Sequence, residues 1–334
     1  MKVALVIGGG AFGTSMASIL AQNFDKVYLK VRSKELYNDL LDHVNHKYLP
    51  ELTLPNNIVP CMMWEEIIGD VSLVVSGLPT KALNDFFRLN KLEILKFLEK
   101  GVSFVSLSKG IDPETLVLAD DILFDIFHMH KDKFAFLSGP SFAKEIVEKQ
   151  ITMVSLASIS RDTLEDVIGK MQTDFFKVLP TYDIKGVLLG GALKNILAIA
   201  SGLAEGLGFN HNTRAALITR GIVEMLKFGK VYNARPETFY GLSGMGDLIL
   251  TTTGDLSRNK AFGLELAKGR SAKDIIEGSK HVVEGYKTTH AVHLLSQKYK
   301  ISTRLFAGMY QILFKGVSPE EMVEHLMSFP VEFE

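Results

Sequence analysis

The stretch from Val3 to Leu20, VALVIGGGAFGTSMASIL, joins a short apolar run, a glycine cluster and a run of small and apolar residues. The first run is typical of a β-strand and the last of an α-helix, so the glycines fall at a strand–helix turn. Gly8, Gly10 and Gly13 have the G-x-G-x-x-G spacing, in which the glycines permit a tight turn, close approach of a pyrophosphate and close helix–sheet packing. The stretch predicts a dinucleotide-binding turn, and a tight turn without a ligand is the alternative.

Arg32 is the second feature that bears on a nucleotide. It lies at the end of the next strand-like run, where an NAD-binding turn usually has an acidic residue. An acid there binds the ribose 2′-hydroxyl, whereas an arginine pairs with the 2′-phosphate of NADP. Lys30 and Lys34 add positive charge nearby. We therefore expect NADP(H) to be preferred and NAD(H) to be possible, with a solvated arginine at a strand end as the alternative.

The composition limits the class of protein. A chain of 334 residues, 47% hydrophobic and 22% charged, suggests a globular protein of about two domains. A formal net charge of −1 gives no reason to expect nucleic acid or an acidic membrane as a partner. Cys61 is the only cysteine, which excludes an internal disulfide and suits a reducing compartment. Without a secretory layout or an uninterrupted apolar span, we expect a cytoplasmic protein that does not insert into membranes.

The first half of the chain alternates short apolar runs with helical segments. The predicted strands are rich in β-branched residues and cover residues 2–7, 27–31, 71–78, 102–108, 134–137, 152–157 and 175–180. Runs of this kind suit a sheet that is buried on both faces. They predict βα units in an α/β fold with a doubly wound parallel sheet.

The pattern changes after about residue 183. From there on, apolar residues recur at helical spacing and strand-like runs largely disappear. We expect a dinucleotide-binding domain over residues 1–182 and an all-helical substrate-binding and catalytic domain over residues 183–334. The histidines and carboxylates show no ligand spacing, so no metal site is expected.

Several polar residues fall in glycine-rich settings at the ends of predicted strands. Lys109 follows a strand in SLSKGID, and Gly139 and Ser141 follow the next one in LSGPSFAKE. The carboxyl ends of parallel strands form the edge at which such sheets bind ligands. We expect both segments to border the nicotinamide, with a solvated lysine and an ordinary turn as the alternatives.

Lys194 and Asn195 interrupt an otherwise small and apolar run, GGALKNILAIASG. The helix is therefore expected to be buried nearly all round. Burial lowers the pKa of a lysine, which can then exchange protons near neutral pH. A buried stem whose ammonium reaches water is the alternative.

The segment GLSGMGDLILTTTGDLSRN carries the remaining candidates. Asp247 precedes an apolar turn, as a helix N-cap does, which is the structural alternative to a catalytic role. Ser257, Arg258 and Asn259 together offer a hydroxyl, a guanidinium and an amide, which suit a phosphate group.

In these segments the chain resembles the bacterial NAD(P)-dependent glycerol-3-phosphate dehydrogenases. The matching segments occur in order between residues 8 and 286: GGGAFGTSMA, SLSKGI, SGPSFAKE, GGALKNILAIASGLAEGLGF, TRAALITRG, GLSGMGDL with SRN, and VVEGY. The resemblance implies a Rossmann-type N-terminal domain, an all-helical C-terminal domain and a homodimer. It also implies reduction of a small phosphorylated ketone, dihydroxyacetone phosphate, to sn-glycerol 3-phosphate for phospholipid synthesis.

The resemblance also implies roles for particular residues. Lys194 matches the proton donor and acceptor of the family, with Lys109 and Asp247 as its polar partners in catalysis. The implied substrate contacts are Lys109, Gly139, Ser141, Lys194, Asp247, Ser257, Arg258 and Asn259. The implied cofactor contacts are Gly8, Gly10, Ala11, Phe12, Gly13, Arg32, Lys109, Ala143, Arg258, Val282 and Glu284.

Three positions depart from the family pattern. Ala11 stands where relatives often have serine, Thr252 where a cysteine is usual, and Leu188 where a polar residue is common. Two other functions are compatible with the residues: a hydroxyacid or ketopantoate dehydrogenase, whose substrate carries a carboxylate, and a non-catalytic NADP-sensing regulator that binds a partner protein. The sensor needs none of the lysine, aspartate and arginine candidates.

Overall fold

The computed structural model of the chain describes residues 1–278 and 283–328. Within these ranges the chain forms eight strands and sixteen α-helices. The strands are β1 (Val3–Ile7), β2 (Lys26–Lys30), β3 (Ile58–Cys61), β4 (Val71–Ser76), β5 (Ser103–Ser106), β6 (Phe134–Ser138), β7 (Thr152–Ala157) and β8 (Phe176–Thr181). Each of the seven predicted strands forms, and β3 is the strand that the sequence analysis missed.

The two longest of the described helices, Ile184–Gly206 and His211–Val231, follow the strands in the chain. The helices of the first half are α1 (Ala11–Leu20), α2 (Lys34–Leu41), α3 (Thr80–Leu89), α4 (Lys91–Leu98), α5 (Ala119–Ile126), α6 (Ala143–Val147) and α7 (Arg161–Met171). Those that follow are α8 (Ile184–Gly206), α9 (His211–Val231), α10 (Pro236–Tyr240), α11 (Asp247–Thr253), α12 (Arg258–Ala267), α13 (Ala272–Glu277), α14 (Glu284–Tyr299), α15 (Leu305–Tyr310) and α16 (Pro319–Met327). A 3-10 helix covers His128–Lys133, and π-helical turns cover Leu242–Gly246 and Gln311–Lys315.

The eight strands form one sheet in the order β3-β2-β1-β4-β5-β6-β7-β8. All five residues of β1 are buried, as a strand at the centre of a two-faced sheet requires. β3 lies at the edge of the sheet, which is the position where a strand tolerates a proline such as Pro60. Only four residues long and containing a proline, it gives a weak strand signal in the sequence.

The expectation of a wholly parallel sheet is wrong at one pairing. β7 runs antiparallel to β6, whereas β7 and β8 are parallel to each other. Between β6 and β7 the only helix is α6, which has five residues and is about 8 Å long at 1.5 Å per residue. β6 spans about 16 Å, so α6 is too short to return the chain to its start for a parallel pairing.

The chain divides into two compact units. The first contains residues 1–109 and 117–188, and the second contains residues 110–116 and those from 189 onward. The first unit holds the sheet, with a core of buried aliphatic side chains on β1, β2, β4 and the helix α1. From residue 189 onward, the described residues of the second unit form helices joined by loops, as the change of pattern near residue 183 predicts.

Helix α8 organises the second unit. Among the described residues it is the helix long and apolar enough to span a membrane, and 94% of its most apolar window is buried inside the protein. Its glycines admit neighbouring backbones: a Cβ on Gly202 would lie 2.0 Å from the Lys260 carbonyl oxygen, and one on Gly190 would lie 2.4 Å from that of Ser243. The start of α12 and the π-helical turn before α11 are thereby held against α8.

Candidate active site

The glycine turn of the first unit has the geometry that its spacing predicts. Gly8 has φ +102°, in the left-handed region that favours glycine. A Cβ on Gly13 would lie 2.0 Å from the Gly8 carbonyl oxygen, so α1 could not pack this closely with any other residue. A Cβ on Gly10 would have no protein atom within 4 Å. The turn thus leaves its open face at Gly10, where helix α1 begins and its first amides point outward.

A residue that the sequence pattern does not single out donates hydrogen bonds to the buried side of this turn. Asn45, in the loop between α2 and β3, is fully buried. Its side-chain Nδ2 donates hydrogen bonds to the Gly9 carbonyl oxygen at 3.1 Å and to Thr14 Oγ1 at 2.9 Å. The segment HVNHKYLP around it has no periodicity, so only its asparagine hinted at a local hydrogen-bonding role.

Three predicted site residues of the first unit lie around the ammonium of Lys109, which is itself a predicted site residue. Its Nζ donates to the Gly139 carbonyl oxygen at 3.1 Å and lies 3.5 Å from Ser141 Oγ. The same Nζ lies 5.1 Å from the ring centroid of Phe12, which is a cation–π distance. Ser141 Oγ in turn donates to the Gly139 carbonyl oxygen at 2.8 Å. The structure therefore brings Phe12, Lys109, Gly139 and Ser141 into one cluster.

The backbone at Gly139 explains why a glycine stands there. Its φ is +151°, and a Cβ would lie 2.9 Å from the Cα of Val154. Helix α6 begins shortly afterwards, at Ala143, and packs against α1. Ala143 and the half-buried Ala11 thus belong to two helices in contact with each other.

Arg32 lies two residues beyond β2 and is exposed, as is Lys34 at the start of α2. Lys30 has a different environment from the one expected. Its Nζ donates to the Met62 carbonyl oxygen at 2.5 Å and lies 4.6 Å from the centroid of the Trp64 ring, and burial lowers its pKa. The positive charge available to a nucleotide at this edge is therefore that of Arg32 and Lys34.

In the second unit, Lys194 forms a buried ion pair. Lys194 is 7% exposed, and its Nζ donates to Asp247 Oδ1 at 2.5 Å and to Thr251 Oγ1 at 2.8 Å. Asp247 is 1% exposed. The alternative in which the ammonium reaches water is wrong. So is the alternative in which Asp247 caps α11, because Gly246 is the N-cap and Asp247 is the first helical residue.

Thr251, to which the sequence pattern assigns no role in binding, completes this arrangement. Its Oγ1 donates to the Asp247 carbonyl oxygen at 2.6 Å and accepts from Lys194. The four-residue spacing places Asp247 and Thr251 on one face of α11, which is the signal that could have identified the pair. A lysine held by a carboxylate and a hydroxyl in this way is chemically able to exchange a proton.

The segment SRN opens helix α12. Ser257 is buried and its Oγ accepts from the Lys260 amide, so its hydroxyl serves as the N-cap. Asn259 donates through Nδ2 to Asn195 Oδ1 at 3.0 Å and accepts through Oδ1 from the Gly285 amide at 3.0 Å. The amide thus ties together α8, α12 and α14, while Arg258 is exposed.

The remaining predicted positions are distributed as follows. Glu284 is the first residue of α14, and Val282 lies outside the described residues. Leu188 is buried in the core, and Thr252 donates its hydroxyl to the Leu248 carbonyl oxygen at 2.7 Å, so neither departure leaves a polar group unsatisfied. Across residues 1–278 and 283–328, no group of three or more histidine, cysteine or acidic side chains is arranged to hold a metal ion.

A sheet with a glycine turn that is open at a helix start is typical of the class of dinucleotide-binding proteins, and here a helical unit with a buried lysine–aspartate pair follows it. Two family models match the chain: the NAD-dependent glycerol-3-phosphate dehydrogenase N-terminus over residues 2–164 and its C-terminus over residues 183–324. The chain belongs to the NAD-dependent glycerol-3-phosphate dehydrogenase family.

Individual relatives agree over nearly the full length. Glycerol-3-phosphate dehydrogenase [NAD(P)+] of Solidesulfovibrio magneticus is 41% identical over 98% of both chains. The protein of the same name in Leptospira biflexa is 40% identical over 98% of both chains. Among solved structures, glycerol-3-phosphate dehydrogenase from Coxiella burnetii has a TM-score of 0.87 and 31% identity, covering 98% of this chain and 99% of its own.

Proposed function

We propose that this enzyme reduces dihydroxyacetone phosphate to sn-glycerol 3-phosphate with NAD(P)H, reversibly, and so supplies the glycerol backbone for phospholipids. The single observation that carries the proposal is the buried contact of Lys194 with Asp247 and Thr251. The chain retains this polar group inside an otherwise apolar helix at the cost of desolvating two charges. The names of the full-length relatives supply the substrate.

The first unit supplies the cofactor contacts in this proposal. Gly8, Gly10 and Gly13 shape the turn, and the open position at Gly10 suits a pyrophosphate at the start of α1. Arg32 is exposed and stands where an acidic residue would repel the 2′-phosphate of NADPH. This substitution favours NADPH over NADH. When bound, the reduced nicotinamide supplies the hydride for C2 of the ketone. The other proposed cofactor contacts are Ala11, Phe12, Lys109, Ala143, Arg258, Val282 and Glu284.

Proton transfer falls to Lys194. Hydride addition to C2 places negative charge on the carbonyl oxygen, and protonated Lys194 donates the proton that neutralises it. In the reverse direction the neutral amine takes the proton from the alcohol. Asp247 balances the ammonium inside the protein, and Thr251 shares in fixing Nζ. Holding the donor in one position removes the orientational cost of the step.

The phosphate and the rest of the substrate are assigned to polar groups near helix starts. Ser257, Arg258 and Asn259 begin α12, where amides and a guanidinium favour an anion. Asn259 contributes through the position that Asn195 and Gly285 impose on it. Lys109, Gly139 and Ser141 are the proposed substrate contacts of the first unit, and Lys109 adds a second ammonium for an anionic ligand.

The cellular setting follows from the same proposal. The proposed location is the cytoplasm, which offers both NADPH and a water-soluble phosphorylated ketone to the enzyme. Buried Cys61 is the only cysteine of the chain, in keeping with a reducing compartment. The family resemblance supports a homodimer as the working assembly.

The proposal is tested by initial rates of NADPH oxidation with dihydroxyacetone phosphate and with ketopantoate, followed optically. Turnover of the phosphorylated ketone alone is the expected result. Turnover of ketopantoate alone would assign the enzyme to carboxylate substrates. Tight NADPH binding with no oxidation by either ketone would support the sensor.

The role of Lys194 is tested by Lys194→Ala, which is expected to keep NADPH binding and to lose most turnover. Lys185→Ala is the matched control, because Lys185 lies on the same helix and is also ion-paired, with Asp120 and Asp121. The control is expected to lose stability and to keep its turnover number. Near-normal turnover of Lys194→Ala would refute the assignment.

A further inference from the structure

A side chain from outside the glycine turn donates a hydrogen bond to the backbone of the turn. We propose that Asn45 is a positioning residue for the cofactor: it fixes the Gly9–Gly10 peptide so that the Gly10 N–H faces the pyrophosphate. The inference rests on the proposed cofactor role of this turn. It adds to that role a residue 36 positions away in sequence from Gly9.

The side chain of Asn45 is fully committed to this arrangement. Asn45 is 0% exposed, and both hydrogens of its amide have acceptors, the Gly9 carbonyl oxygen and Thr14 Oγ1. Its Oδ1 accepts from the Tyr48 amide at 3.2 Å. Thr14 Oγ1 also donates to the Gly9 carbonyl oxygen, at 3.3 Å. The Gly9 carbonyl is therefore held by two donors on its buried side.

The position of Asn45 is itself fixed by its own loop. The Leu49 amide donates to the Asn45 carbonyl oxygen at 2.8 Å, and the Leu54 amide donates to the His43 carbonyl oxygen at 2.8 Å. These bonds close the segment between α2 and β3 on either side of Asn45. The amide of Asn45 is thus presented to the glycine turn from a rigid loop.

Fixing the carbonyl also fixes the amide on the other side of the same peptide. The described chain contains no cis peptide, and in a planar trans peptide the C=O and N–H point in opposite directions. The Gly10 N–H is therefore directed away from Asn45. On that side, a Cβ at Gly10 would meet nothing within 4 Å. An amide aimed into open space at a helix start is a donor for a phosphate oxygen.

A holder is needed because the turn has little stiffness of its own. The peptide lies between two glycines, which rotate about φ and ψ with few steric barriers. Without the bonds to the Gly9 carbonyl, the peptide can turn over and present an oxygen to the phosphates. Aspartate at position 45 lacks N–H donors, and its charge would oppose the Gly9 carbonyl oxygen.

The test compares Asn45→Asp and Asn45→Ala with the wild-type enzyme. Dissociation of NADPH is measured by its fluorescence, together with kcat and both KM values and with the thermal midpoint without cofactor. Thr14→Val removes the second donor, and Thr14→Ser restores it. Asn57→Ala is the matched control, because Asn57 Nδ2 also donates to two backbone carbonyls, those of Ala21 and Phe24, at the far end of α1.

The Asn45 variants are expected to raise the Kd and KM for NADPH about tenfold or more. The reason is that the Gly10 N–H is no longer held toward the pyrophosphate, so its hydrogen bond to a charged phosphate oxygen is lost. Their kcat at saturating cofactor is expected to stay within about twofold of the wild-type value, and the KM for dihydroxyacetone phosphate with it. Thr14→Val follows in the same direction, and Thr14→Ser binds as the wild type does. Asn57→Ala lowers the thermal midpoint and leaves the Kd unchanged.

Two results would overturn the inference: Asn45 variants that bind NADPH as the wild type does, or an Asn57→Ala variant that loses as much affinity as they do. If the Asn45 variants do not fold, equal NADPH affinity of Thr14→Val and Thr14→Ser overturns it. Failure of the wild-type enzyme to bind NADPH at all would instead remove the proposed function on which the inference rests.

Discussion

The buried pair of Lys194 and Asp247 allows stability and catalysis to be separated. Lys194→Met keeps an apolar stem of similar length and removes the ammonium. It leaves the Asp247 carboxylate, 1% exposed, without its cation. Breaking a buried ion pair in this way costs about 3–5 kcal/mol of unfolding free energy. Asp247→Ala leaves Lys194 in the converse position and is expected to cost a similar amount.

The double variant Lys194→Met/Asp247→Ala removes both charges. Thr251 keeps an acceptor in it, because its Oγ1 donates to the backbone carbonyl of residue 247. We therefore expect the double variant to be more stable than either single variant. Its unfolding free energy should lie within about 2 kcal/mol of the wild-type value, the remaining difference being the cost of the cavity left by the removed side-chain atoms. Turnover is expected to fall by about 10²–10⁴-fold in Lys194→Met and to stay equally low in the double variant.

Urea unfolding followed by far-UV circular dichroism measures the stability change, since helices make up most of the second unit's described residues. Trp64, the only tryptophan of the chain, lies in the first unit and supplies a separate fluorescence signal. A double variant no more stable than the weaker single variant would refute the ion-pair reasoning. A double variant that recovers turnover would refute the proton-donor role of Lys194.

Three further predictions concern single side chains. Arg32→Ala is expected to raise the KM for NADPH about tenfold to a hundredfold and to leave that for NADH unchanged, so equal losses for both cofactors in initial-rate assays would exclude a 2′-phosphate contact. Burial raises the pKa of the Cys61 thiol to about 12, so iodoacetamide should label it at neutral pH only after denaturation, as mass spectrometry can show. Burial, His290 and Lys315 lower the pKa of His293, so the unfolded chain binds more protons than the folded one and stability falls as the pH drops through about 6.5. His293→Phe keeps a ring against Tyr310 and should flatten that fall in urea titrations between about pH 5 and pH 7; a slope equal to that of the wild type would contradict the assignment.

Local patterns account for what could be predicted. The strand–glycine–helix order of Val3–Leu20 and the helical spacing beyond residue 183 depend only on residues that are close together in the sequence. Both features can therefore be recognised from the sequence alone. Lys194 could be singled out because a charge inside an apolar helix is costly unless it has a partner. The direction of β7 depends instead on how far α6 can carry the chain, a length that the sequence shows only once the bounds of α6 are known.

The contacts of the positioning side chains could not be predicted, because their partners are distant in sequence and follow no periodic pattern. Asn45 reaches Gly9 across 36 residues, and Asn259 reaches Asn195 across 64. Each is an asparagine in a loop or at a helix start, where the usual reading is a local turn or cap. In the structure the side-chain amide of Asn45 binds backbone and a hydroxyl, and that of Asn259 binds backbone and the amide of Asn195. For Asn259 this means that a substitution that abolishes turnover does not by itself show a phosphate contact. Asn259→Asp, which keeps the acceptor for Gly285 and loses the donor to Asn195, separates the two roles, because a bracing role predicts loss of stability together with loss of turnover.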